Sequence, residues 1–151
     1  MPKIQNSLDA APVIQVQVVA VPSLDSATKK VKYQTTFTPA KVKVTAPDTI
    51  LSYELVAPTP SGVRFKSVNV KGKRPEQISA PTISQSGKVM VMTDANSFKE
   101  VLNLTIHFKD SDELEFAVDP EVENDPGQPE FSDGQIATAM LEPEEGNDPG
   151  Q

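Results

Sequence analysis

The strongest constraint on the fold is an alternation of apolar and polar residues with a period of two. The stretch "VIQVQVVAV" (residues 13 to 21) sets Ile14, Val16 and Val18 on one side and glutamines on the other. Such alternation, with many β-branched residues, is typical of half-buried β-strands. Turn-forming clusters such as "PSLDS" and "APDT" separate these stretches, and no convincing helical stripe occurs. The chain is therefore predicted to be all-β.

The number and spacing of these stretches favour one architecture. Seven or eight short strands, with a turn every eight to twelve residues, predict an antiparallel β-sandwich of immunoglobulin-like architecture. Because the chain has no Cys or Trp, only the architecture of an immunoglobulin domain is predicted. In "VRFKSVNVKG" the apolar parity switches between Phe65 and Val68, which predicts a bulge near Ser67. "EVLNLTIHFK" and "ELEFAV" predict a hairpin joined through "DSD".

Charge divides the chain into two parts. All 14 Lys and Arg residues lie at or before Lys109, whereas 14 of the 21 acidic residues lie from Asp110 onward. We predict an N-terminal arm over residues 1–10, a sandwich over residues 11–123 and an acidic, largely unstructured tail over residues 124–151. The acidic tail should attract the basic body. Since it would compete for the same surface, nucleic acid is not an expected partner.

Composition and motifs exclude several other classes. Without cysteine the chain forms no disulfide or thiolate metal site. The start, "MPKIQNSLDAAP", lacks the basic residues and apolar run of a signal peptide, and no apolar stretch reaches membrane-spanning length. We expect a cytoplasmic protein without membrane contact. Calcium binding by "DSDE" or "NDPG" ranks last because the ordered oxygen spacing is absent, so no metal or cofactor is expected.

The acidic part contains an internal repeat. The first copy, "AVDPEVENDPGQ" (117 to 128), aligns without gaps onto the second copy, "MLEPEEGNDPGQ" (140 to 151), with 7 identities in 12 positions. The Asp-Pro pair of the first copy becomes Glu-Pro in the second. If both copies bound equivalent sites, one site could lie on another molecule, so a homo-oligomer or an exchange of tails is one interpretation.

The bond between Asp119 and Pro120, at the end of the last predicted strand, is chemically distinctive. An aspartate carboxyl can attack its own main-chain carbonyl carbon, close a five-membered anhydride and expel the following nitrogen. Proline favours this route because its nitrogen is a basic leaving group and, having no N–H, cannot form a cyclic imide. Nucleophile and target share one residue, so effective molarities of about 10⁵ M or more are accessible in aligned geometry. Water or a neutral lysine would open the anhydride.

Strand parity predicts the surroundings of Asp119. The Asp119 side chain is expected to point away from the core, on the face that carries Lys99, Asn103, Thr105 and His107. A strict hairpin register puts Asn103 or Thr105 opposite it. The same pattern is also expected of the polar outer face of any antiparallel pair.

Three features of the sequence resemble the bacterial DP-EP family: "VMTDANS" before the hairpin, the closing "VDPEVEN", and the pairing of Asp-Pro with Glu-Pro in the repeat. This family consists of small β-sandwich proteins described as self-cleaving and self-assembling endopeptidases. The resemblance covers roughly residues 10 to 128. It implies cleavage after Asp119, with Asp119 as nucleophile and acyl donor and Pro120 as leaving group.

The resemblance also implies an isopeptide bond between Asp119 and a lysine. Lys99 is the predicted acceptor, with Lys88 and Lys109 as alternatives. Asp94 and His107 are candidate helpers in proton transfer, although capping of the turn "TDANS" also explains Asp94. The alternative function is a non-catalytic binding or assembly module whose acidic tail docks on a basic surface.

Overall fold

The computed structural model describes residues 11–127. The predicted N-terminal arm, most of the predicted tail and the whole second repeat copy lie outside the described residues. The strands are β1 (Val13–Leu24), β2 (Val31–Thr38), β3 (Val42–Val44), β4 (Thr49–Leu55), β5 (Arg64–Lys71), β6 (Thr82–Ile83), β7 (Val89–Asp94), β8 (Glu100–Lys109), β9 (Glu115–Val118) and β10 (Glu121–Asn124). The one helix in this part is a 3₁₀ turn over Pro75–Gln77, and no helix in it could cross a membrane.

The strands form two five-stranded sheets, which confirms the predicted all-β sandwich. The first sheet has the order β2-β1-β4-β7-β6, and the second has the order β3-β10-β8-β5 with β9 also paired to β8. The prediction of purely antiparallel strands is corrected in one respect. β1 pairs in parallel with β4, and β10 pairs in parallel with β3, because the chain crosses between the sheets before these strands meet.

Alternation along the strands builds the core. Val16 and Val18 of β1 are buried, as predicted, and so are the inward residues of β8. These are Leu102, Leu104, Ile106 and Phe108, each 0% exposed. The register between β5 and β8 shifts between Phe65 and Ser67, which confirms the predicted bulge. After the bulge Val68 and Val70 turn inward.

β9 and β10 behave as one strand with a break at the Asp-Pro bond. Val118 of β9 pairs with Ile106 and Glu121 of β10 pairs with Asn103. The register does not change across the break, so Asp119 stands opposite Thr105 and Pro120 opposite Leu104. The predicted last strand thus continues beyond the Asp-Pro bond, and β10 ends at Asn124, one residue past the predicted domain boundary.

Candidate functional site

Asp119 lies on the outer face of the second sheet, as its parity predicts. Its side chain is exposed, and its Oδ1 accepts a hydrogen bond of 2.8 Å from the hydroxyl of Thr105. The two residues face each other across the strand pair, so the sheet register itself brings them together. Of the two opposite neighbours predicted from the hairpin, the structure selects Thr105.

The main chain at the Asp119–Pro120 bond is hydrogen-bonded to β8 through the carbonyl of Pro120. The N–H of Leu104 donates a 2.9 Å hydrogen bond to the carbonyl of Pro120, whereas Pro120 has no N–H to return it. Leu104 and Pro120 thus form a hydrogen-bonded pair of the ladder. In antiparallel ladders such pairs alternate with pairs whose main-chain groups point away from each other. The carbonyl of Asp119, which an attack on the bond would target, therefore points away from β8.

Two grooves flank Asp119. One, of about 400 Å³, separates the Asp119–Pro120 bond from β2, where Thr35, Thr36 and Phe37 line it. The Asp119 carbonyl points away from β8, so it is not paired with that strand. The other groove, of about 320 Å³, is lined by Asp119, Asn103 and Lys71.

Lys71 was not among the candidates taken from the sequence. It pairs with Asn103 across β5 and β8, so it stands two strands across from Asp119 and on the same outer face. Its side chain is exposed, and it forms no salt bridge with any residue of 11–127. Lys71 thus shares a groove with Asp119.

The three lysines predicted as acceptors lie elsewhere. The Nζ of Lys99 is 3.4 Å from Asp125 Oδ1. Asp125 follows Asp119 by six residues of extended chain, which is about 20 Å at 3.3–3.4 Å per residue. The structure therefore does not bring Lys99 to Asp119. Lys88 lies just before β7, and its Nζ donates to main-chain carbonyls of the loop before β5, whereas Lys109 pairs with Glu113.

Neither of the two predicted helpers forms a hydrogen bond with Asp119 in the part of the chain that the structure describes. His107 shares its outer face but pairs with Ala117, and its Nε2 lies 3.4 Å from Asn69 Nδ2. Asp94 is fully buried at the end of β7. Its Oδ1 accepts the N–H of Asn96 at 2.9 Å, which is the turn-capping contact weighed from the sequence.

Asp94 contacts the acidic segment instead, through Asn124 of β10. The Nδ2 of Asn124 donates a 2.8 Å hydrogen bond to Asp94 Oδ1. Burial raises the pKa of Asp94, although the hydrogen bonds from Asn124 and Asn96 act in the opposite direction. Asp94 Oδ2 has no hydrogen-bond partner among the described residues. Asp94 therefore belongs to the interior network that fixes β10.

No three His, Asp or Glu side chains within residues 11–127 are grouped in a way that could hold a metal ion. The fold and the site together define a β-sandwich with an Asp-Pro bond inside a strand that is otherwise continuous. No curated protein matches the chain. The sequence of residues 12–126 matches the DP-EP family. Because this match covers more than half of the chain, the protein belongs to the DP-EP family.

Proposed function

We propose that this protein cleaves its own Asp119–Pro120 bond and links Asp119 to Lys71. The carboxylate of Asp119 attacks its own main-chain carbonyl carbon, the bond to Pro120 breaks, and the proline nitrogen takes up a proton and leaves as a secondary amine. Water then opens the anhydride and restores two carboxyl groups. Alternatively, neutral Lys71 attacks one anhydride carbonyl, forms an amide, releases a proton and leaves one carboxylate.

The observation that carries this proposal is the contrast between two Asp-Pro bonds of the same chain. The carboxylate of Asp125, before Pro126, lies between two ammonium groups, 3.4 Å from Lys99 and 3.5 Å from Lys43. The carboxylate of Asp119 has instead one neutral donor among the described residues, the hydroxyl of Thr105. A carboxylate held by two cations is a poorer nucleophile. Cleavage is therefore expected at Asp119 and not at Asp125.

Denaturing mass spectrometry of the purified protein tests the proposal. We expect fragments 1–119 and 120–151. When the larger fragment carries the cross-link, it should be one water lighter than its hydrolysed form. Asp119→Asn and Pro120→Ala should abolish both products. Asp125→Asn is the matched control and should leave them unchanged. An unbroken wild-type chain after long incubation, or unchanged fragments from Asp119→Asn, would contradict the proposal.

A second candidate function is a non-catalytic assembly module. Its supporting observation is that Lys43 and Lys99 of the basic body both pair with Asp125 at the start of the acidic segment. This function predicts an intact chain and an association that weakens as salt rises. The same mass spectra therefore separate the two functions.

A further inference from the structure

β10 is an inner strand, although the Asp-Pro bond precedes it. It pairs antiparallel with β8 through all four of its residues and parallel with β3 through Val122, Glu123 and Asn124. Its main chain is thus bonded along both edges. The segment after Pro120 fills a slot between two strands of the body, and removing it would expose two sheet edges.

A buried amide anchors the segment in this slot. Asn124 is 0% exposed, and its Nδ2 donates to Asp94 Oδ1 at 2.8 Å and to Gln77 Oε1 at 3.1 Å. Gln77 Oε1 is itself fixed, because it also accepts the N–H groups of Ser97 and Phe98. Buried donors and acceptors that lose their partners are costly. Residue 124 therefore has to carry two N–H donors of the correct geometry.

The next residue adds a charge contact. The N–H of Asp125 donates to the carbonyl of Val44 at 2.8 Å, and its carboxylate lies between Lys43 and Lys99. Lys99 is the largest of the causes that lower the pKa of Asp125. The slot thus recognises an Asn-Asp pair by a buried hydrogen-bond network around Asn124 and a charged rim around Asp125.

The second repeat copy fits this slot poorly. It keeps the pair as Asn147-Asp148, but it carries Glu145 where the first copy has Val122. Val122 is 0% exposed, so a glutamate there would bring an unpaired charge into the core. The slot therefore has a means of distinguishing the two copies.

We propose that the slot between β3 and β8 is a sequence-selective strand-binding site. Its ligand is the segment of residues 120–127, which it binds even when that segment is a separate polypeptide. The slot rejects the sequence of the second copy. This property goes beyond self-cleavage and does not depend on it, because it follows from contacts on the carboxyl side of the Asp119–Pro120 bond.

The test bypasses cleavage by producing residues 1–119 and 120–151 as two chains in the same cells. With an affinity handle on the longer chain, the recovery of the shorter chain reports binding. We expect the wild-type pair to co-purify. Val122→Glu, which imitates the second copy, and Asn124→Asp, which faces Asp94 with a second carboxylate, should each weaken binding at least about tenfold. Glu121→Gln changes an exposed side chain and should bind like wild type.

Failure to recover any pair would overturn the proposal, and so would equal recovery of Val122→Glu and Glu121→Gln. A second measurement concerns Asp125. The wild-type pair should weaken as salt rises, and Asp125→Asn should lose most of this dependence. Because the two chains are made separately, a negative result here says nothing against self-cleavage. An uncleaved full-length chain, in turn, says nothing against strand binding.

Discussion

The hydroxyl of Thr105 donates a 2.8 Å hydrogen bond to Asp119 Oδ1 across the strand pair. No other side chain within residues 11–127 hydrogen-bonds this carboxylate. Thr105 therefore restrains the direction from which Asp119 can attack its own carbonyl.

Thr105→Val removes the hydroxyl and keeps the shape of the side chain. We expect cleavage at Asp119–Pro120 to slow by about tenfold, because the carboxylate loses the hydrogen bond that orients it toward its own carbonyl, and about 1.4 kcal/mol in the barrier is tenfold in rate. The free energy of unfolding should change by less than about 1 kcal/mol, since the pair is exposed. Time courses by mass spectrometry measure the rate. Thr105→Ser, which keeps the hydroxyl, should cleave at nearly the wild-type rate, and normal cleavage by Thr105→Val would contradict this positioning role.

Lys71→Met removes the amine that shares a groove with Asp119. The bond should still be cut, because water can open the anhydride, but the cross-link should be lost. After correction for the mass change of the substitution itself, the larger fragment would be heavier than the cross-linked wild-type fragment by one water, and peptide mapping would show Asp119 unmodified. Lys99→Met is the matched control, since Lys99 pairs with Asp125. A cross-link that persists in Lys71→Met and disappears in Lys99→Met would assign the acceptor to Lys99.

The sequence was informative where local alternation decides the structure. The inward face of β8 and the bulge between Phe65 and Ser67 follow from parity, and both are confirmed. Alternation alone did not predict β10 as a strand, because "EVEN" contains one apolar residue, Val122, and follows a proline. β10 is buried because β3 and β8 lie on either side of it. These are long-range pairings, which no local sequence pattern predicts.

Long-range strand pairing also explains why the sequence did not indicate Lys71. Lys71 has the parity of the inward Phe65, and only the bulge turns it to the outer face that carries Asp119. Its place beside the groove of Asp119 further depends on two registers. That of β5 on β8 sets Lys71 opposite Asn103, and that of β9 on β8 sets Asp119 two residues further along β8, opposite Thr105. Lys99 was predicted from the resemblance, by its place before the penultimate strand, but the register of β10 on β8 carries it toward Asp125 instead.

Leu104 packs in the core directly opposite Pro120 and is 0% exposed. Leu104→Ala should lower the free energy of unfolding by about 2–5 kcal/mol, through lost burial and a residual cavity. Val101 lies on the same strand but is 50% exposed, so Val101→Ala should have an effect of less than about 1 kcal/mol. Urea denaturation measures both variants. Equal destabilisation by the two substitutions would contradict the assignment of the inward face.

The raised pKa of Asp94 predicts a pH dependence of stability. A carboxyl whose pKa is higher in the folded than in the unfolded chain binds more protons when folded. Its contribution to stability therefore falls as pH rises above the unfolded value of about 3.9. Asp94→Asn has no proton to lose and can still accept the hydrogen bond from Asn124. We expect the stability of the variant relative to wild type to improve between about pH 4 and pH 7.

Chemical denaturation of Asp94→Asn and wild type at a series of pH values measures this difference. Asp48→Asn is a suitable control because Asp48 lies in a turn, outside the buried network of Asp94 and Asn124. Its stability relative to wild type should vary less over the same range. If the curves of Asp94→Asn and wild type stay parallel, Asp94 does not retain its proton in the folded core. Asn124 would then be held by a carboxylate that remains charged despite its complete burial.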